Sequence, residues 1–143
     1  VQEGARLETF FKEKIAAIQD LLNNVEPYEH SRVEKIKARI YESLQKLEGV
    51  TVDNNRFEQE LIFYIEKLDI TEEKIRLQNH LNYFLATMAD GDNQGKKLGF
   101  ISQEMGREIN TTGSKANQAE LQKLVVEMKD HLEQIKEQVL NVL

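Results

Sequence analysis

The chain has no cysteine, no tryptophan and one proline in 143 residues. Without cysteine there is no disulfide, no zinc–thiolate centre and no thiol nucleophile. A single proline leaves long helices uninterrupted. No apolar run approaches the roughly 18 residues of a membrane span, and no secretory signal is visible, so a cytoplasmic address is expected. The catalytic patterns that are easiest to read are missing too. There is no phosphate-cradling glycine loop, no HExxH pair and no Ser-His-Asp arrangement. The Asp90–Gly95 run lacks the spacing and the closing glutamate of an EF-hand. Base excess is also lacking: 25 acids against 19 bases give a net charge of -6, which argues against broad nucleic-acid binding. Acids can serve as ligands for divalent ions, however, so the balance does not exclude an enzyme acting on RNA.

What is present is helical periodicity. A 40% hydrophobic and 31% charged composition fits one ordinary domain, residues 1–143, with a real core. Leu7, Phe11, Ile15, Ile18, Leu21 and Leu22 predict a first helix over about Gln2–Asn24. Pro27 suits the first turn of a second, carried by Val33, Ile36, Ile40, Leu44 and Leu47 and closed at Gly49. Val50-Thr51-Val52 reads as a linker and Asp53 as the N-cap of a third helix, with Phe57, Leu61, Tyr64, Ile65 and Leu68 as its stripe. Asp69 with Glu72 reads as a capping box opening a fourth, which carries Leu77, Leu81, Phe84, Leu85 and Met88. Leu121, Leu124 or Val125, Met128, Leu132, Ile135, Val139 and Val142 then mark a long last helix with heptad-like spacing. The fold class is all-α, an antiparallel helical bundle with a long C-terminal helix.

The segment Gly95–Asn117 breaks this regularity. It is +2 in an acidic chain, from Lys96, Lys97, Arg107 and Lys115 against Glu104 and Glu108. Leu98, Ile101, Met105 and Ile109 predict a fifth helix over about Lys96–Asn110, ending at a Gly113 C-cap before a Ser114 N-cap. Gly99, Ser102 and Gly106 form a small-residue strip that admits close approach of another backbone. Glu104 and Glu108, four apart, share one side of the helix. Arg107 and Lys115 are candidates for binding a phosphate. Upstream, Glu72 and Glu73 with Arg76 and His80 form a second polar group. Each has an ordinary reading as well: a solvated face for Glu104 and Glu108, a surface pair for Glu73 with Arg76, a structural hydrogen bond for His80.

The run Gln103-Glu104-Met105-Gly106-Arg107-Glu108-Ile109-Asn110-Thr111-Thr112-Gly113-Ser114-Lys115-Ala116-Asn117 resembles the signature of the YicC/YloC family of bacterial proteins. Glu3-Gly4, Asp69-Ile70-x-Glu72-Glu73 and Arg76-Leu77-x-x-His80-Leu81 add to the likeness, in the right order. Two positions depart from it: Gly99 stands where the family usually has Asp, and Gly106 where Asn is common. The resemblance is to the C-terminal half of the family, so the chain, which begins at Val1, is expected to be that part of a longer protein. It implies a metal-dependent endoribonuclease that cleaves single-stranded RNA and assembles as a homo-oligomer, with Mn²⁺ or Mg²⁺ as cofactor and no DNA or membrane partner. Carried onto this sequence, it suggests Glu104 and Glu108 as metal ligands or bases and Glu73 and His80 as catalytic partners. Arg107, Lys115, Asn110 and Arg76 become contacts to RNA. The rival reading is a non-catalytic helical module for oligomerisation or RNA binding, using the small-residue strip and the C-terminal heptads.

Overall fold

The computed structural model describes residues 2–46, 54–91, 94–116 and 118–141. Among these the chain forms six helices and no strand: α1 (Gln2–Asn23), α2 (Val25–Gln45), α3 (Asn54–Leu68), α4 (Thr71–Ala89), α5 (Gly95–Lys115) and α6 (Ala119–Leu140). The all-α expectation holds. Leu47, Gly49, the Val50–Val52 linker, the Asp53 cap, Asn117 and Val142 lie outside the described residues, as does the side chain of Leu44.

α1, α4, α5 and α6 enclose one core. α1 contributes Phe11, Ile15, Ile18 and Leu22, and α4 contributes Leu77, Leu81 and Phe84. From α5 come Leu98, Ile101, Met105 and Ile109, the positions read from spacing. The heptad positions of α6, Leu121, Val125, Met128, Leu132, Ile135 and Val139, are all buried. That apolar stripe is therefore consumed inside the bundle, against α1 and α5, and is not free to serve as the oligomer interface expected of the last helix. Only Val126 and Leu140 remain as large exposed apolar side chains on it.

The small-residue strip meets the same fate. A methyl group at Gly99 would face Val139, one at Gly106 would face Leu132, and one at Gly113 would face Val125. The three glycines recur every seven residues, and their partners recur every seven in the opposite direction. α5 and α6 thus form an antiparallel seam in which absent side chains let the backbone of α5 approach α6.

This seam explains why α5 does not stop at Asn110. The helix runs five residues further, and Gly113, read from sequence as its C-cap, is an interior residue packed against Val125. The Thr112 and Ser114 hydroxyls donate back to the carbonyls of Glu108 and Asn110, so Ser114 caps nothing. Beyond them, Gln122 of α6 donates to the Gly113 and Ala116 carbonyls and satisfies acceptors that the helix end leaves open.

α2 and α3 form an arm beside the bundle, joined to each other by an edge-on contact of Tyr41 with Phe57 at 5.4 Å. Pro27 sits in the first turn of α2, as expected. The capping box is corrected. Asp69 Oδ1 accepts from Thr71 N–H at 3.0 Å and from Thr71 Oγ1 at 2.6 Å, while Glu72 turns to Arg76 instead of back to Asp69.

The seam predicts opposite outcomes at two of its glycines. Gly113→Leu, whose Cβ alone would lie 3.1 Å from Val125 Cγ1, is expected to destabilise by roughly 1–3 kcal/mol through overpacking. Gly99→Ala, with its nearest neighbour at 3.6 Å, is expected to be neutral or stabilising by up to ~1 kcal/mol. Chemical denaturation of both variants checks the pair.

Candidate functional site: the α4–α5 polar ladder

α4 and α5 run antiparallel with a short connection, and their facing edges carry the polar residues singled out above. Glu73, Arg76 and His80 follow each other at three- and four-residue steps on α4, beside the buried Leu77 and Leu81. This spacing gives one polar edge along the core-facing stripe.

The lowest rung is an ion pair. Lys115 Nζ lies 2.7 Å from Glu73 Oε1 and also donates to the Asp69 carbonyl at 3.2 Å. Glu73 is 3% exposed, and its second oxygen has no partner among the described residues. The next rung is looser: Arg76 Nη1 stands 3.9 Å from Glu108 Oε2, while Nη2 of the same guanidinium holds Glu72 at 2.7 Å. Glu108 is buried. The surface pair expected between Glu73 and Arg76 is therefore absent, because each has a different partner. One turn further along, the antiparallel register sets His80 level with Glu104. His80 is half-buried and makes no hydrogen bond or ion pair among the described residues, so the structural hydrogen bond suggested for it is not formed there. Glu104 is half-buried, with Arg107 at 3.8 Å.

The structure thus joins Glu73 to Lys115 and Arg76 to Glu108, and brings Glu104 to the same helix edge. It does not bring Arg107 to Lys115. Eight residues separate them, about 12 Å of helix rise, and Arg107 is largely in solvent beside Glu104 whereas Lys115 is held by Glu73. Asn110 is exposed, and its backbone carbonyl accepts from Ser114.

Among the described residues no three His, Asp or Glu side chains gather closely enough to hold a metal ion. Glu104 and Glu108 amount to two carboxylates one turn apart. Such a set suits a Mg²⁺-type ion, which takes one or two carboxylates and fills its shell with water and substrate phosphate.

Sequence reasoning missed Arg32. Its guanidinium is buried, and donates to the carbonyls of Leu68 and Lys115 and to Glu29 Oε1, at 2.6, 3.0 and 2.6 Å. Leu68 and Lys115 are the last residues of α3 and α5, so one cation caps two helix ends where backbone dipoles concentrate negative charge. The local signal was the three- and four-residue spacing of Arg32, Lys35 and Arg39, which puts three bases on one side of α2.

A family model described as "Endoribonuclease YicC-like, C-terminal" matches residues 25–143, which include every rung of the ladder. The chain belongs to this family. Two curated relatives carry the name "Probable endoribonuclease YicC". The one from Clostridioides difficile is 40% identical over 149 residues, covering 99% of this chain and 49% of the relative. The one from Haemophilus influenzae is 29% identical over 141 residues, with the same coverage on both sides. The chain therefore spans about half the length of the curated relatives it matches.

Two measurements check the lowest rung. Lys115→Met leaves the Glu73 carboxylate buried without a cation. Its cost is expected near the low end of the roughly 3–5 kcal/mol for breaking a buried pair, because Lys115 keeps 33% of its side chain exposed. Adding Glu73→Gln should recover part of that loss in a double-mutant cycle. The second measurement concerns pH. The Thr71 hydroxyl donating to Asp69 holds this carboxyl below its usual 3.8, aided by the Thr71 N–H, Lys115 and Lys74 and opposed by burial. A lowered pKa stabilises above the unfolded value and stops doing so as pH falls through the folded one. Asp69→Ala is expected to cost about 1 kcal/mol at pH 7. Denaturation at a series of pH values should show the gap to the parent closing below pH 3.8.

Proposed function

We propose that this chain is the C-terminal part of an endoribonuclease that cleaves single-stranded RNA with the help of Mn²⁺ or Mg²⁺, and that the α4–α5 ladder is its catalytic edge. The observation that carries the reading is the family match across residues 25–143, on a polar edge built from two helices. Cleaving a phosphodiester requires charge neutralisation at the phosphate and a positioned base. The ladder offers carboxylates at Glu73, Glu104 and Glu108, cations at Arg76, Arg107 and Lys115, and an unengaged imidazole at His80. A bound divalent ion would supply electrophilic activation of the phosphate, with Glu104 and Glu108 as its protein ligands. Arg76 lies beside Glu108, and its planar guanidinium would meet a phosphate oxygen pair by exchanging the Glu72 carboxylate on Nη2 for the phosphate. Without an ion, His80 would take the proton from the 2′-hydroxyl as that oxygen attacks the neighbouring phosphorus and the 5′-oxygen leaves.

The protein acts in the cytoplasm as a homo-oligomer, and a neighbouring copy is a natural source of further donors to Glu104 and Glu108. No described helix is long and apolar enough to cross a membrane. A second reading, RNA binding without cleavage, is favoured by one observation: Lys115 and Arg76 already engage Glu73 and Glu108 within the chain.

Incubation of labelled single-stranded RNA with Mn²⁺, with and without chelator, separates the two readings. Glu104→Gln and Glu108→Gln are expected to abolish metal-dependent cleavage, by a hundredfold or more, roughly the span of general acid–base contributions, with the helical signal intact. His80→Ala should do so if cleavage persists in chelator. Parent-like cleavage by all three variants would rule out this edge as the site.

A further inference from the structure

A second polar feature lies on the other side of the Lys115 turn. Between α2, the end of α3 and the end of α5 is a cleft of about 490 Å³, of the size that holds small ligands. Arg32, Lys35, Arg39 and Lys115 line it, with Tyr64 and Ser114. Among the described residues four cations and no carboxylate face this space, in a chain whose net charge is -6.

The cations are not equivalent. Arg32 is held by Glu29 and Lys115 by Glu73, so these two are fixed in place. Lys35 and Arg39 are exposed and have no carboxylate partner among the described residues. Arg32 still has one donor unspent among the described residues: its buried Nε makes no hydrogen bond to any of them. The carbonyl ends of α3 and α5 would repel an anion here, but Arg32 occupies the final carbonyl of each. What reaches the cleft is therefore net positive. Its apolar wall is Ile36, Leu68 and the ring of Tyr64, which is 40% exposed. Lys35 and Arg39 are one helical turn apart on α2, enough to follow a strand from one phosphate to the next.

Cations along a groove with an exposed aromatic ring are the elements by which proteins hold single strands without reading sequence. We infer that this cleft binds the backbone of single-stranded RNA, with Lys35 and Arg39 neutralising phosphates and Tyr64 stacking on a base. The choice of RNA rests on the ribonuclease reading above; the anionic strand itself is read from the cleft. In this arrangement the cleft holds the strand and the ladder, across the Lys115 turn, acts on it.

The test uses a fluorophore-labelled oligouridylate titrated with the protein over a range of salt. Lys35→Gln combined with Arg39→Gln is expected to weaken binding at least tenfold at low salt. The slope of log affinity against log salt should become shallower by about 1.4, twice the ~0.7 contributed by each phosphate of a single strand. Lys35→Arg with Arg39→Lys should bind like the parent. Tyr64→Leu should weaken binding at least fivefold and leave the slope unchanged. Affinity and slope equal to the parent's in the Gln pair would overturn the inference. So would a changed oligomeric state with RNA binding unmoved, since the cleft would then seat an acidic surface of another copy. Cleavage keeps the two proposals apart. A Gln pair that raises KM and spares turnover at saturating RNA supports the cleft. If the parent cleaves RNA and the Gln pair leaves KM unmoved, the cleft fails alone. If RNA binds through the cleft and is never cut, the nuclease reading fails and the cleft stands.

Discussion

A single buried guanidinium fixes how the α2–α3 arm sits on the bundle. Arg32 spends its fork on the last carbonyl of α3, the last carbonyl of α5 and the carboxylate of Glu29. Burying such a group costs several kcal/mol unless its donors are met, and a planar fork meets acceptors only in defined directions. The two helix ends must therefore arrive together, at set positions, for the charge to be tolerated. Among the described residues α3 has little other attachment: it packs on α2 and presents Ile62, Phe63 and Tyr64 outward. Its end is located by Arg32 and by the neighbouring Ile70, which is fully buried.

The ladder and the basic cleft both depend on α5 continuing through Thr111-Thr112-Gly113-Ser114-Lys115. Were the helix to stop at Asn110, Lys115 would sit in a loop, its ammonium would not be held against Glu73, and its carbonyl would not be offered to Arg32. The weak helix formers of this run are kept helical by tertiary means: Gly113 against Val125, Gln122 on the terminal carbonyls, and hydroxyls folded back on the preceding turn. Lys115 then belongs to two surfaces at once, neutralising a buried carboxylate on one and lining a cationic cleft on the other.

The core was legible in the sequence because burial imposes a period on neighbouring residues. Phe11, Ile15 and Ile18 of α1, Leu77 and Leu81 of α4 and the stripe of α6 all announce themselves at steps of three and four. The sites were less legible because their pairings are long-range. Glu73 and Lys115 are 42 residues apart, and Arg32 and Lys115 are 83 apart. Local spacing offered Glu73 a nearer partner in Arg76, and the fold chose otherwise. The end of α5 was misread for a related reason. Gly113 carries the local mark of a helix stop, but its missing side chain is used for closeness to α6 and not for a left-handed turn. Arg32 left only its place in a row of three bases, and nothing in that row tells which base is interior.

The seven-residue recurrence of glycines has a consequence for how the two last helices find each other. Sliding α6 by one heptad along α5 would again set two of the three glycines opposite large aliphatic residues, at the same closeness. The seam by itself is thus nearly periodic and does not choose its own alignment. The choice falls to the connection, residues 116–118, which is too short to permit the slide. A longer tether at that point would turn one alignment into a small set of competing ones. The brevity of the turn, as much as the chemistry of the seam, is what makes the native pairing unique.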